Sequence, residues 1–151
     1  MVRFKTRYLL CEITFEQDLS TGKPTQFQVD DRTTQFTVLN IIKESLDVNF
    51  GDFGLGSIAS SLNVKYFSPF TKLAIVRTSR DHVKMVWASI TLVTSFKQTP
   101  CCIRVIHNAG TIKSAQKTAI EFDKLKIKEL QQIGVVSGNS FSFFLIETIV
   151  W

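Results

Sequence analysis

The sequence predicts an α+β fold whose elements follow one another in the order β-α-β-β-α-β, with a further helix and strand added at the C-terminus. Three observations predict it: short runs rich in branched and aromatic side chains, longer segments with apolar residues at helical spacing, and turn-forming residues between them. Right-handed crossovers in this order give the split βαβ arrangement of ferredoxin-like domains, a sandwich in which two helices cover one face of an antiparallel sheet.

The first strand and the first helix are separated by a long polar stretch. Residues 8–15 are predicted to form a strand, and one of its faces carries Leu9, Cys11, Ile13 and Phe15. Residues 16–31 are predicted to form a loop, with Asp30 and Asp31 suited to the start of a helix. The helix is expected from about residue 33 to residue 49, and the glycines at positions 51, 54 and 56 are expected to break it.

A hairpin and a second helix follow. Residues 62–68 and 72–79 read as two strands joined by the compact turn Ser68-Pro69-Phe70-Thr71. The second helix is predicted to begin near Ser79 and Asp81 and to stop at Pro100. Its apolar residues at helical spacing are Val83, Val86, Trp87, Ile90 and Val93.

The C-terminal third is predicted to contain a strand, a helix and a final strand. Residues 101–108 form the fourth strand, and Ala109-Gly110-Thr111 turns the chain into a helix over about residues 111–132, with Thr111 as its N-cap. Residues 141–151 read as another strand, so apolar that either the chain's own sheet or a partner protein is expected to cover it.

Length and composition predict one domain that spans residues 1–151. A hydrophobic content of 44% over 151 residues is enough for a single core. Neither a secretory leader nor a membrane-spanning run is recognisable, so we expect an intracellular protein without a membrane partner. The cysteines Cys11, Cys101 and Cys102 are odd in number and two are adjacent, which favours free, buried thiols.

Charge is distributed in blocks that indicate one basic surface. The net charge is +5, yet residues 12–61 hold eight acidic side chains against three basic ones, whereas residues 62–100 hold six basic ones against a single acidic one. Charge alone leaves open whether this surface meets nucleic acid, an anionic membrane or an acidic protein.

Two features place basic residues in regular arrays. In the N-terminal arm Arg3, Lys5 and Arg7 alternate, so on an extended chain they point the same way. In the third helix one stripe about 60° wide contains Lys113, Lys117, Lys124 and Lys128. A solvated helix face would show the same stripe.

The junction between the fourth strand and the third helix is, besides the N-terminal arm, the place where we predict contact with RNA. The strand that leads into the third helix carries Arg104 and His107. The free N–H groups at the helix start, near Thr111 and Lys113, could receive a phosphate. The alternative that His107 has a structural role, with its hydrogen bonds made inside the protein, stays open.

Catalytic and metal-binding motifs are not recognisable. The glycine-rich stretch at residues 51–56 does not have the order of glycines that a nucleotide-binding loop needs. The two histidines do not have the spacing of metal ligands. We therefore predict no catalytic residue, no metal and no cofactor bound by the protein itself. The architecture is also RRM-like, that of RNA-recognition motifs, but residues 72–79 contain no aromatic ring, so stacking of bases on this strand is not expected.

The chain resembles a known family on two motifs. One is the N-terminal run MVRFKTRYLL, residues 1–10, and the other is His107-x-x-Gly110-Thr111-Ile112-Lys113-x-x-Gln116-Lys117. Both are similar to the small protein subunits shared by eukaryotic ribonuclease P and ribonuclease MRP. The element order and the helix around Val86-Trp87-Ala88 extend the resemblance over most of the chain.

The resemblance implies a non-catalytic RNA-binding protein within a ribonucleoprotein whose RNA cleaves the 5′ leader from precursor tRNA, or processes precursor rRNA in the MRP particle. Its implied partners are a catalytic non-coding RNA, precursor tRNA, a TIM-barrel-like ribonuclease P protein subunit and other ribonuclease P/MRP proteins, with Mg²⁺ held by the RNA. The implied location is the nucleus and nucleolus. The arm and the junction at Thr111 are then expected to face the catalytic RNA.

Two other functional classes remain open on the residues alone. The basic face could bind an acidic protein partner without RNA, or the fold could carry an acylphosphatase-like hydrolase. The hydrolase needs an anion-binding loop after the first strand, and the loop in this sequence is acidic.

Overall fold

A computed structural model describes residues 3–16, 34–69 and 71–132. Within these ranges the elements are β1 (Thr6–Phe15), α1 (Gln35–Ile58), β2 (Asn63–Ser68), β3 (Leu73–Ser79), α2 (Val83–Thr91), β4 (Ser95–Phe96), β5 (Thr99–Ala109) and α3 (Ile112–Gln132). The predicted loop beyond Glu16, its Asp30-Asp31 pair and the apolar strand at residues 141–151 lie outside the described residues.

The strands form one antiparallel sheet in the order β2-β3-β1-β5-β4. β1 lies between β3 and β5, so Tyr8 has Arg77 as its partner on one side and Ala109 on the other. This is the predicted β-α-β-β-α-β arrangement, with β5 as its fourth strand, and it confirms the ferredoxin-like, α+β fold class. The short β4 is an addition that the sequence had not indicated.

Helices α1 and α2 pack together on one face of the sheet. Alternate residues of β1 and β3 point toward them, because successive side chains of a strand face opposite sides. The buried core between the helices and the sheet includes Leu9, Cys11, Ile13, Val38, Ile42, Leu46, Val76, Val86, Ile90 and Ile103. The Ser45 hydroxyl of α1 donates a 2.7 Å hydrogen bond to the Ser89 carbonyl of α2, which ties the two helices together.

Helix α3 packs on the opposite side of the sheet, here called the α3 face. Its small residues Ala115 and Ala119 are fully buried there, so the helix lies close to the strands. The strand residues beneath it are Leu10, Tyr66, Leu73, Ile75 and Ala109. The sheet is therefore covered by a helix pair on one side and by a single helix on the other.

Helix α1 continues beyond the point where the sequence predicted its end. Gly51 has φ 63° and ψ −162°, a conformation that favours glycine, and it kinks the helix without ending it. The chain resumes helical geometry as far as Ile58, which is fully buried in the core. The prediction that Gly54 and Gly56 break the helix is wrong, because burial of the last turn holds it in place.

Helix α2 ends earlier than predicted. Its last residue is Thr91, and the chain then turns through Lys97 and Gln98, both with positive φ, into a tight hairpin of β4 and β5. Pro100 lies inside β5 opposite Ser95, in the short hairpin with the edge strand β4. The predicted stop at Pro100 was therefore wrong by about two helical turns.

Candidate nucleic-acid interface

One end of the sheet gathers basic residues from three segments, here called the basic end: Arg3, Lys5, Arg7, Arg80 and Lys113. The arm leads directly into β1, whose Thr6 pairs with Ser79 at the end of β3. The backbone N–H of Arg80 donates a 2.9 Å hydrogen bond to the carbonyl of Lys5. Arg3, Lys5 and Arg80 are exposed, so the arm carries its charges alongside the end of β3.

Arg7 connects the arm to the start of α3. Its Nη1 donates a 3.0 Å hydrogen bond to the Thr6 carbonyl and lies 3.7 Å from the place that a Cβ atom on Gly110 would occupy. The Thr111 hydroxyl accepts a 3.3 Å hydrogen bond from the Ser114 N–H, which confirms Thr111 as the N-cap of α3. Lys113 is exposed on the first turn. The structure thus places Arg7 beside Gly110, at the turn that leads into Thr111 and Lys113.

The lysine stripe of α3 extends away from the basic end. Lys113, Lys117 and Lys124 are all exposed. At 1.5 Å per residue, Lys117 lies about 6 Å along the helix from Lys113, and Lys124 lies about 16 Å along it. Lys117 can therefore act together with the basic end, whereas Lys124 would contact a separate part of any bound molecule.

Arg104 forms an ion pair with Glu12 on the α3 face, although its own side chain is largely exposed. Its Nη2 lies 2.8 Å from Oε2 of Glu12, and Lys126 of α3 bonds to the other oxygen of the same carboxylate. Burial raises the pKa of Glu12, but the hydrogen bonds and charges of Lys126 and Arg104 outweigh it and hold that pKa below its ordinary value. Glu12 therefore fastens both β5 and α3 to β1.

Arg104 lies well away from the basic end, and His107 lies between Arg104 and that end. Arg104 is the partner of Glu12, about 13 Å along β1 from Tyr8. His107 is the partner of Leu10 and is half-buried on β5. These two predicted residues are not gathered with Arg7 and Lys113.

Arg77 and Arg80 were missed as candidates by the sequence analysis. The excess of basic residues over positions 62–100 was visible, but nothing in the sequence alone linked it to the arm. The signal that could have found them is strand order, because a ferredoxin-like sheet places β3 beside β1. The arm and the end of β3 then meet.

A buried carboxylate lies on α3 beyond its midpoint. Asp123 is 1% exposed, and within the described residues neither of its oxygens has a hydrogen-bond partner; the hydroxyls of Tyr66 and Thr71 have none either. Burial raises the pKa of Asp123 to about 6, and the nearby Thr71 and Lys126 lower it by less. Among the described residues no group of three potential metal ligands occurs.

Within the described ranges, no helix combines the length and the apolar character needed to cross a bilayer.

Comparison with known proteins identifies relatives over most of the chain. The model of the Rpp14/Pop5 family matches residues 7–120. Ribonuclease P/MRP protein subunit POP5 of Schizosaccharomyces pombe is 41% identical over 130 residues, which cover 86% of this chain and 94% of the relative. Probable ribonuclease P/MRP protein subunit POP5 of Arabidopsis thaliana is 41% identical over 132 residues, 85% of this chain and 83% of the relative.

A solved structure has a similar fold. A chain in the cryo-EM structure of yeast ribonuclease MRP matches 90% of this chain and 99% of its own length, with a TM-score of 0.51 and 16% identity. At this identity the likeness supports the fold. The family model and the two relatives carry the assignment: this chain belongs to the Rpp14/Pop5 family.

Proposed function

We propose that this chain is a non-catalytic, RNA-binding protein subunit of ribonuclease P and ribonuclease MRP. Its relatives in Schizosaccharomyces pombe and Arabidopsis thaliana are named as ribonuclease P/MRP protein subunit POP5, the second as a probable one, and this chain spans most of their length. In this role it acts in the nucleus and nucleolus with a catalytic non-coding RNA, a TIM-barrel-like protein subunit and other proteins of the particles. Mg²⁺ would be held by the RNA.

The observation that carries the proposal is the meeting of the N-terminal arm with the start of α3. Arg7 lies against the β5–α3 turn, and the exposed Lys113 and Lys117 continue the positive charge along the first turns of the helix. Such an array neutralises successive phosphates and releases their counterions. Two RNAs, the catalytic RNA and precursor tRNA, could then approach with less repulsion.

The start of α3 adds directed hydrogen bonds to this charge. The first N–H groups of a helix have no partner within it and favour an anion. The Thr111 oxygen already accepts the Ser114 N–H, so its own O–H proton is left to be donated to a phosphate oxygen. Arg3 and Lys5 extend the same contact along the arm, whereas Lys124 would bind a phosphate about 16 Å farther on.

The proposal is tested by the salt dependence of RNA binding. The affinity of the purified chain for a precursor tRNA should fall linearly on a log-log plot of binding constant against salt concentration. Replacing both Lys113→Ala and Lys117→Ala should flatten the slope by roughly 1.4 to 1.8, since each phosphate contact contributes about 0.7 to 0.9. An unchanged slope would refute their role.

A matched control removes a charge at the other end of the sheet. Lys97 is exposed in the β4–β5 turn, far along the strands from the basic end, so Lys97→Gln should leave the slope unchanged. The proposal would be overturned if the chain did not bind structured RNA at low salt but bound an acidic protein. That result would support the alternative, a protein-interaction module.

A further inference from the structure

Helix α3 leaves one row of the sheet partly uncovered. Leu10 and Ile75 on the α3 face are buried completely beneath the helix. One row nearer the basic end, Tyr8 and Arg77 are half-buried and Asn63 is exposed. This row, here called the Tyr8 row, therefore lies at the margin of the surface that α3 covers.

The three residues of the Tyr8 row are direct neighbours across three strands. Tyr8 of β1 pairs with Arg77 of β3, and Arg77 pairs with Asn63 of β2. Because adjacent strands are about 4.8 Å apart, the row spans roughly 10 Å, about the length of one nucleotide with its phosphate. Alternation along each strand places the three side chains on the α3 face.

The residue types fit an unpaired nucleotide. An aromatic ring stacks on a base, a guanidinium binds phosphate, and an amide donates to and accepts from the edge of a base. The Nε of Arg77 is buried and has no hydrogen-bond acceptor within the part of the chain that the structure describes. A buried N–H of this kind is costly unless something bonds to it.

The basic end supplies the direction from which RNA would arrive. On the same face of the sheet Thr6 and Ser79 form the next pair, two residues along each strand, and Lys5 and Arg80 follow immediately. A strand of RNA whose phosphates are held there would pass its next nucleotide over the Tyr8 row. The earlier expectation against base stacking concerned residues 72–79, and the ring in this row comes from β1.

We infer that the Tyr8 row binds one unpaired nucleotide of RNA. The base stacks on the Tyr8 ring, the Asn63 amide bonds to the edge of the base, and Arg77 binds the adjoining phosphate. This inference rests on the proposed function and deepens it, because it adds a preference for single-stranded RNA to the sequence-independent attraction of the basic end.

The test compares single-stranded with double-stranded RNA. Binding of the full chain to a short single-stranded RNA and to a duplex of equal length is measured by fluorescence anisotropy at fixed low salt. Tyr8→Leu should weaken single-strand binding by roughly fivefold to a hundredfold, the usual effect of losing one base–aromatic stack, and should leave duplex binding within about twofold. Tyr8→Phe retains the ring and should bind like the unsubstituted chain.

Two further variants separate stacking from charge and from folding. Arg77→Gln should weaken single-strand binding and reduce its salt slope by roughly 0.7, whereas Tyr8→Leu should leave that slope unchanged. Trp87→Leu removes another partly exposed ring, on α2, and should have no effect. Circular dichroism checks folding. A 2-aminopurine base in the single strand should lose its stacking-induced quenching in Tyr8→Leu and keep it in Tyr8→Phe.

Several outcomes would overturn the inference. The inference is wrong if the variants lose equal affinity for single-stranded and double-stranded RNA, or if Tyr8→Leu and Arg77→Gln lose no affinity. The proposed function would still stand if the Lys113 and Lys117 variant flattened the salt slope. Variants that keep RNA binding and lose assembly with other protein subunits would make the row a protein contact. A chain that binds no RNA would overturn both proposals.

Discussion

Replacing Asp123 with asparagine should stabilise the folded chain at neutral pH, and the gain should shrink in acid. The carboxylate is buried against the sheet side of α3, and neither oxygen accepts a hydrogen bond from the described residues. Burial therefore raises its pKa from 3.8 to about 6, against the smaller opposing effects of Thr71 and Lys126. The folded chain holds the proton more tightly than the unfolded chain.

The sign and the size follow from linkage. Because the pKa is higher in the folded state, ionisation of Asp123 lowers the free energy of unfolding. The loss is absent well below pH 3.8, grows as the pH rises, and is complete above about pH 6. A shift of about two units is about 3 kcal/mol in the free energy of unfolding at pH 7.5, and about 1 kcal/mol of it is already present at pH 4.5. An uncharged asparagine lacks this cost but leaves a buried amide, so we expect a gain of about 1 to 3 kcal/mol at pH 7.5.

Urea denaturation followed by circular dichroism measures the difference between Asp123→Asn and the unsubstituted chain at several pH values. Glu121→Gln removes the same charge from an exposed position on the same helix and should change the free energy of unfolding by less than about 0.5 kcal/mol. A destabilised Asp123→Asn at pH 7.5, or a difference that stays constant from pH 4.5 to 7.5, would refute the reasoning.

Three further changes probe other parts of the fold. Glu12→Gln should cost about 2 kcal/mol in urea denaturation at neutral pH because it removes the negative charge that pairs with Lys126 and Arg104. The loss should fade in acid, where the pH falls through the depressed pKa of Glu12 and the stabilisation by its carboxylate disappears. Gly51→Ala should lower the free energy of unfolding by about 1 kcal/mol or more, since alanine is strained at φ 63°; an unchanged value would argue against the kink. Iodoacetamide should label the exposed Cys102 of the folded chain well before Cys11, whose burial raises its pKa to about 12, and equal rates by mass spectrometry would contradict this.

Local patterns in the sequence determined most of the secondary structure. The strand-like runs over residues 8–15 and 72–79 and the helical segment up to residue 132 are recognisable from short stretches of sequence. They could therefore be predicted without any knowledge of neighbouring elements. Thr111 as the N-cap was predictable for the same reason, since a cap depends on groups only three residues away. The element order then limited the topology to a ferredoxin-like sheet.

All residues of the basic end except Arg80 were named from the sequence, but their arrangement depends on strand order. Arg7 lies beside Gly110 because β1 and β5 are neighbours in this topology and the turn after β5 is short. Arg104 pairs with Glu12, a residue 92 positions earlier in the chain, and its contact with RNA stays a prediction because its side chain is 69% exposed. Such an ion pair depends on register between strands, which no local pattern specifies.

The sequence by itself determined which segments become strands and helices and where positive charge accumulates along the chain. The tertiary structure decided which face α3 covers, that α1 is kinked and not ended at Gly51, and that Tyr8, Arg77 and Asn63 form one row. The physical reason is the distance along the chain over which each interaction acts. Periodicity and capping involve residues within one or two turns of each other. Strand register, the docking of helices and the burial that stabilises a kinked helix involve residues far apart in the chain.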